Sequence, residues 1–373
     1  VFATLFLYEK GKQRSHEDKM TTIIAKRVSN YELFYDLVFV LAISSMSTLL
    51  HVDQIGLKEI FDYITANVII MTIWLNETTY LNKYGERDLL DIFTIIPSMY
   101  IVGNLSLNFN TNYAETALPF NSFLTLAYII IFLQYFLRGR EIGYTEDLKV
   151  SLKRNAVYIA IFGLTTLAVL FKLGKPGVWL NVIFYLPLAL SYFFRGPRSH
   201  QLINFPHLVE RCQLITIITF GEMVLHIIQH YPYTSQALNG FLLFFGMANL
   251  FIFYISQTYL NLDHHRHSQG IALVSAHMAI VLGLNFFTMS IEFLVDDHAK
   301  VAIFLMMGGL FLFYLGNLLT SRYNQRRVQV QKRDYFLYGL LIFAGLGLLY
   351  LTRDHLTLLF LSLNLLSSAL IYF

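Results

Sequence analysis

The feature that most constrains this chain is a series of long apolar blocks, each about the length of a bilayer-spanning helix. Such a helix needs about 20 largely apolar residues. Twelve blocks of this kind lie near 30–52, 57–80, 88–109, 117–138, 153–172, 176–195, 208–230, 237–260, 269–293, 299–320, 334–351 and 355–373. Their apolar residues run all round the helix instead of forming one stripe, as expected when the solvent is lipid. Composition agrees. Of 373 residues, 56% are hydrophobic and only 14% are charged, against about a quarter charged in a soluble domain. The blocks therefore predict an all-α polytopic membrane protein with about twelve transmembrane helices. The connections are too short to hold an inserted soluble domain.

Charge in the loops sets the expected orientation. With the N-terminus inside, 22 of the Lys and Arg residues fall in inner segments and 5 in outer ones. Both termini are therefore expected in the cytoplasm. Residues 1–28 read as a mostly cytoplasmic tail: the run VFATLFLY is too short to span and lacks the flanks of a signal peptide. One cysteine, Cys212, excludes an internal disulfide, a zinc ribbon and a haem attachment site.

Shifted by 179 residues, the sequence begins to match itself. Tyr80-Leu81-Asn82 falls on Tyr259-Leu260-Asn261, Arg87 on Arg266, Tyr135 on Tyr314 and Leu180 on Leu359. Lys153-Arg154-Asn155 falls on Lys332-Arg333-Asp334, each at the start of a fifth helix. Polar anchors of this kind are not expected from chance matches between apolar blocks. An even number of spans in each half makes the two repeats parallel. The expected organisation is a tail at 1–28, a first six-helix repeat at 29–200 and a second at 201–373.

Charged groups inside lipid are costly and so are candidates for function. Ser29 and Glu32 have the spacing of a capping box at the start of the first helix. Asp36 lies one turn deeper on the same face. It reads either as an ion-pair partner of an inner-rim arginine, such as Arg87 or Arg266, or as a cation or proton site near the cytoplasmic mouth. Ser44, Ser45 and Ser47 follow, and small hydroxyls also suit close helix packing.

The second cluster is in the seventh block. Glu222, His226 and His230 recur at every fourth residue and share a stripe. Histidine titrates near neutrality, so the three could pass protons. They could equally form a buried hydrogen-bonded pair that locks two helices. A metal site would need a further strong ligand that the sequence does not supply. Glu210 and Arg211 are expected to pair with each other at the inner edge. Asn67, Asn76, Glu77, Asn249, Gln257, His277 and Asn285 read as interhelical hydrogen-bonding groups. Glu292 ends a helix near the outer surface, and His264, His265 and His267 read as a solvated loop.

No P-loop, dinucleotide-binding glycine run, G-x-S-x-G or H-E-x-x-H is present. No enzymatic activity and no cofactor or resident metal are expected.

The segment Tyr31-Glu32-Leu33-Phe34-Tyr35-Asp36-Leu37-Val38-Phe39-Val40-Leu41-Ala42-Ile43 resembles the opening helix of the bacterial low temperature requirement protein A family. Glu210-Arg211 with the later Phe220-Gly221-Glu222 resembles that family's seventh-helix segment. The resemblance covers the chain from about residue 25. It implies a multi-pass protein of the bacterial plasma membrane and names no substrate. Phe34-Tyr35-Asp36-Leu37-Val38-Phe39 is also similar to the F-S-D helix of potassium channels built from six-helix repeats. Tyr35 stands there in place of Ser, and Gln213, Leu214 and Ile215 stand where a second F-x-D would fall.

These readings lead to a transporter of a small solute or ion, with proton coupling as one option. Asp36 and Glu222 would be its pathway charges, His226 and His230 its relay, and Glu32 a further candidate. A cation channel with helices 1 and 7 at the pore is the first alternative. A non-transporting envelope- or lipid-related membrane protein is the second. Expected partners are membrane lipids, the unidentified solute or ion and, as one option, a second copy in a homodimer. Nucleic acid is not among them, because the basic residues follow the membrane rule.

Overall fold

The computed structural model describes residues 25–110, 112–173, 183–193, 203–295 and 298–372. Most of the expected tail at 1–28 and part of the expected span at 176–195 lie outside the described residues. Helix is the dominant element, and among the described residues the one β feature is an isolated bridge between Leu262 and Asn324.

The chain divides into two compact units, which are described separately. The first, Lys26–Arg211, holds α1 (Asn30–Met46), α2 (Leu57–Tyr84), α3 (Leu89–Ser106), α4 (Tyr113–Ile142), α5 (Glu146–Leu170) and the short α6 (Leu186–Phe193). The first turns of α7 (Phe205–His230) also belong to it. The second, Cys212–Phe373, holds the rest of α7, then α8 (Tyr233–Ile255), α9 (Ile271–Phe293), α10 (Ala299–Thr320), α11 (Lys332–Leu351) and α12 (Leu356–Tyr372).

Among the described residues, nine helices are long and apolar enough to cross a membrane: α1, α3, α4, α5 and α7 to α11. The protein is thus a multi-pass helical membrane protein. The sequence reading gave twelve spans, and the other three helices fall short for different reasons. The α12 helix is apolar but has 17 residues, and the described part of α6 has 8. The α2 helix has 28 residues but carries Asn67, Asn76, Glu77, Asn82 and Lys83 along its length. Most of its C-terminal half is buried within the protein. Several of its polar groups are met inside the helix: Thr72 Oγ1 donates to Val68 O (2.6 Å) and Asn76 Nδ2 to Thr72 O (2.8 Å). Back-bonding of this kind satisfies polar groups where no water reaches.

Local chemistry explains several helix ends. Ser29 caps α1, Asp88 caps α3 and Thr145 caps α5. The α5 helix starts at Glu146, seven residues before its apolar block, because Thr145 Oγ1 accepts from Leu148 N and two acids fill the first turn. At α7, Asn204 Oδ1 accepts from His207 N (3.2 Å), and Pro206 occupies the first turn.

In the second unit, α9 and α10 pack closely. A Cβ on Gly283 would lie 2.5 Å from Gly309 O, and one on Gly309 would lie 2.5 Å from Gly283 O. Small residues at both positions let the backbones approach.

Candidate functional site

Two groups of ionisable side chains stand out, one in each unit. In the first unit the capping box is formed as expected: Ser29 Oγ donates to Glu32 Oε1 (2.8 Å), and Glu32 N donates back to Ser29 Oγ (3.4 Å). Glu32 also has a second role. Its Oε2 accepts from Arg211 Nη1 and His207 Nε2, each at 3.0 Å. Arg211 Nη2 donates to Asp36 Oδ1 (2.7 Å) and Thr78 Oγ1 (3.3 Å), and Trp74 Nε1 donates to Asp36 Oδ1 (2.9 Å). The guanidinium lies over the Trp74 ring at 5.9 Å. Glu32 is 1% exposed, and Asp36, His207 and Arg211 are 0% exposed.

The histidine's tautomer follows from its surroundings. Asn204 N donates to Asn82 Oδ1 (2.9 Å) and Asn204 O accepts from Asn82 Nδ2 (2.9 Å), which fixes the orientation of the amide. The same Nδ2 then faces His207 Nδ1 at 3.0 Å and must donate to it. The His207 proton therefore sits on Nε2 and points at Glu32. His207 is a neutral donor that orients the carboxylate.

Two expectations are corrected here. Asp36 pairs with Arg211, not with Arg87 or Arg266: Arg87 Nη2 donates to Arg27 O, and Arg266 Nη1 donates to Arg322 O (2.8 Å). Arg211 does not pair with Glu210. Adjacent residues on a helix point about 100° apart, and Glu210 is exposed while Arg211 is buried. His207 and Trp74 were missed in the sequence because their role depends on contacts between distant helices. Asn82 Nδ2 and its asparagine partner close the cluster from α2.

At the edge of the same unit, Arg138 donates to Asp88 Oδ2 (2.8 Å), Asp91 Oδ1 (3.1 Å) and Glu141 Oε2 (2.8 Å). The arginine's hydrogen bond holds the Asp88 carboxyl below the usual aspartate range. Lys83 Nζ donates to Asp147 Oδ1 and Oδ2, both at 2.9 Å, tying the end of α2 to the start of α5.

In the second unit, Glu222, His226 and His230 line one side of α7, and the two histidines face Glu292 of α9. His226 Nε2 is 3.5 Å from Glu222 Oε1, and His226 Nδ1 is 3.8 Å from Glu292 Oε2. His230 Nε2 is 3.8 Å from Glu292 Oε1. The two imidazoles stack with centroids 5.6 Å apart. His230 Nδ1 is 3.0 Å from His226 O and so carries a proton, leaving Nε2 free to take one on the side of Glu292. All three ion-pair distances exceed a direct hydrogen bond. The side chains keep some solvent access: 12% at His226, 24% at His230 and 15% at Glu292. Glu292 was read as a surface helix end, and the fold brings it opposite the stripe.

The remaining candidates are bound into the fold. Tyr254 Oη meets His277 Nε2 (3.1 Å), Asn249 Nδ2 donates to Ser368 Oγ (3.0 Å) and Gln257 Nε2 donates to Asn324 Oδ1 (2.7 Å). Among the described residues no group of three His, Cys, Asp or Glu is arranged to hold a metal ion.

The chain matches the family described as Bacterial low temperature requirement A protein (LtrA) over residues 27–370. It belongs to this family. The match takes in α1 with Glu32 and Asp36 and α7 with Arg211, Glu222 and both histidines, so both clusters lie within the family's region. No curated protein matches the chain. Family membership names neither a substrate nor a reaction.

Proposed function

We propose that this LtrA family protein is a proton-coupled transporter of a small solute or ion. Its proton path runs along Glu222, His226, Glu292 and His230. The observation that carries this reading is the placement of His226, which faces a carboxylate with each ring nitrogen. An imidazole in that position can take a proton on Nε2 from Glu222 and release one from Nδ1 toward Glu292. Rotation of the Glu292 carboxyl group then carries that proton to the side facing His230 Nε2, which accepts it. The gaps are wide enough for bridging water, and the partial exposure gives water a way in.

The reading includes twelve spans in two parallel repeats, with both termini in the cytoplasm of a bacterial cell and the chain in its plasma membrane. The inner excess of Lys and Arg supports that orientation. Glu32 and Asp36 are assigned a positioning role, since the Arg211 guanidinium bonds both carboxylates and, with Trp74, fixes Asp36 Oδ1. We assign the chain no enzymatic reaction.

The test is flux in proteoliposomes under an imposed pH gradient, with Glu222→Gln and Asp36→Asn alongside the native protein. The expected result is gradient-driven proton flux that Glu222→Gln lowers at least about tenfold. Rapid potassium flux abolished by Asp36→Asn would instead establish the channel. No flux of any kind would move the protein to a non-transport role.

A further inference from the structure

The second unit carries an exposed basic surface that the proton path does not touch. Its α8–α9 and α10–α11 connections lie side by side. Leu262 and Asn324 form the isolated bridge, and Asp263 N donates to Tyr323 O and Gln325 N to Asn261 O, both at 2.8 Å. Arg266 Nη1 donates to Arg322 O (2.8 Å), and its guanidinium lies over the Tyr323 ring at 5.6 Å. At the start of α11, Tyr335 Oη lies 2.5 Å from Ser321 Oγ. Two connections and a helix start are thus locked into one platform.

The platform is short of negative charge. Residues 261–270 and 321–334 hold six basic residues, Arg266, Arg322, Arg326, Arg327, Lys332 and Arg333, against two acids, Asp263 and Asp334, a net charge of +4 with histidine neutral. Both acids are engaged locally: Asp263 Oδ1 accepts from His265 N (3.2 Å) and Asp334 Oδ2 from Gln331 N (2.9 Å). Arg322, Arg326, Arg327 and Lys332 are exposed, and among the described residues no carboxylate pairs with them. The first unit treats its cations differently: Arg138 meets Asp88, Asp91 and Glu141, Lys83 meets Asp147 and Lys149 meets Glu146. Membrane orientation depends on how many Lys and Arg a connection holds; it does not call for a folded platform that leaves them unpaired. From this platform an apolar stripe runs down α11, where Phe336, Leu340 and Phe343 recur at helical spacing and are exposed. The Phe343 ring lies 6.0 Å from that of Phe311 on α10.

We infer that this platform binds the headgroup of an anionic phospholipid, whose acyl chains lie along Phe336, Leu340 and Phe343. Guanidinium groups suit the headgroup phosphate, because their planar N–H forks match its oxygens. Clustered Lys and Arg beside a membrane helix attract anionic lipid. The helix aligns the two surfaces: Lys332 and Arg333 open α11, and Phe336 lies one turn beyond Lys332. A phosphate free in water would use the cations alone and gain nothing from the stripe, so the two surfaces together select an amphiphile. None of these residues belongs to the proton path.

The test is thermal unfolding of the full chain in a neutral detergent at neutral pH, with phosphatidylglycerol, phosphatidylcholine or inorganic phosphate added at one ionic strength. Phosphatidylglycerol should raise the unfolding midpoint by several degrees, saturably, and the other two should not. Added sodium chloride should weaken the effect. Arg322→Gln, Arg326→Gln and Arg327→Gln together should weaken its half-saturation at least about tenfold. Arg140→Gln, Lys149→Gln and Lys153→Gln together remove the same charge from the first unit and should leave it unchanged. Equal rises with both lipids in the native protein would overturn the site without recourse to any variant. So would an equal rise from inorganic phosphate, which would assign the surface to a soluble anion. An equal loss in both triple variants would reduce the effect to overall charge and overturn the site as well.

Discussion

The first unit pairs its charges directly: Arg211 meets Glu32 at 3.0 Å and Asp36 at 2.7 Å, with none of the guanidinium exposed. The second unit keeps its charges apart: Glu222, which is buried, and Glu292, which retains some solvent access, face imidazoles at 3.5 and 3.8 Å. Both groups put two carboxylates near a basic side chain, and both use the start or length of α7. The difference lies in the base. Arginine stays charged at any physiological pH, so its contacts fix a geometry. Histidine changes charge near neutrality, so its contacts can change state. A cluster built on Arg211 suits holding helices, and under the proposed function the stripe with His226 and His230 carries the proton path.

The strongest way to break this comparison is to remove the arginine. Arg211→Met strands two buried carboxylates and should destabilise the protein by about 3–5 kcal/mol. The triple variant Glu32→Gln, Asp36→Asn, Arg211→Met removes the stranded charge and should recover most of that loss, because neutral packing often replaces a buried ion pair at little cost. Unfolding in detergent gives both numbers. If the single variant costs no more than the triple, Arg211 is not the anchor described here.

The stripe should behave in the opposite way. Glu222→Gln and His226→Gln break contacts already longer than hydrogen bonds, and each should cost under about 1 kcal/mol. Under the proposed function their effect is expected in flux, not in stability. A variant at either position that unfolds the protein would place the stripe with the Arg211 cluster as a structural device.

How much of this was legible in the sequence follows from the range of each contact. The capping box spans three residues, and Ser29 and Glu32 could be read directly. The stripe spans eight, and helical spacing alone put Glu222, His226 and His230 on one side. The apolar blocks gave the helical membrane class, and nine of their twelve spans are long and apolar enough on their own among the described residues. Hydropathy windows do not know that α2 is wrapped by protein, where Asn76 and Glu77 are tolerated. Arg211 lies 179 residues from Glu32 and 175 from Asp36, and Glu292 lies far from His226 in the chain. No local pattern names such partners. The nearest signal was the scarcity of charge itself: each acid in an apolar helix needs something opposite it. That argument predicted a basic partner for Asp36 but chose the wrong arginine.

The smallest effect separates direct bonding from burial. Arg138 meets Asp88 at 2.8 Å, as closely as Arg211 meets its partners, but the Asp88 side chain is 38% exposed. Water screens an exposed pair, so its contribution should be under about 1 kcal/mol despite the short distance. The sign of its pH dependence is fixed. Arg138 lowers the Asp88 carboxyl in the folded protein, so the stabilisation is fully present above the ordinary aspartate value of about 3.9 and fades as pH falls through and below it. Asn also caps helices well, so Asp88→Asn removes the charge while keeping the start of α3. The variant should unfold slightly below the native protein at neutral pH, with the gap closing under acid conditions. A loss as large as that of Arg211→Met would mean that bonding distance, not burial, sets the strength of these pairs.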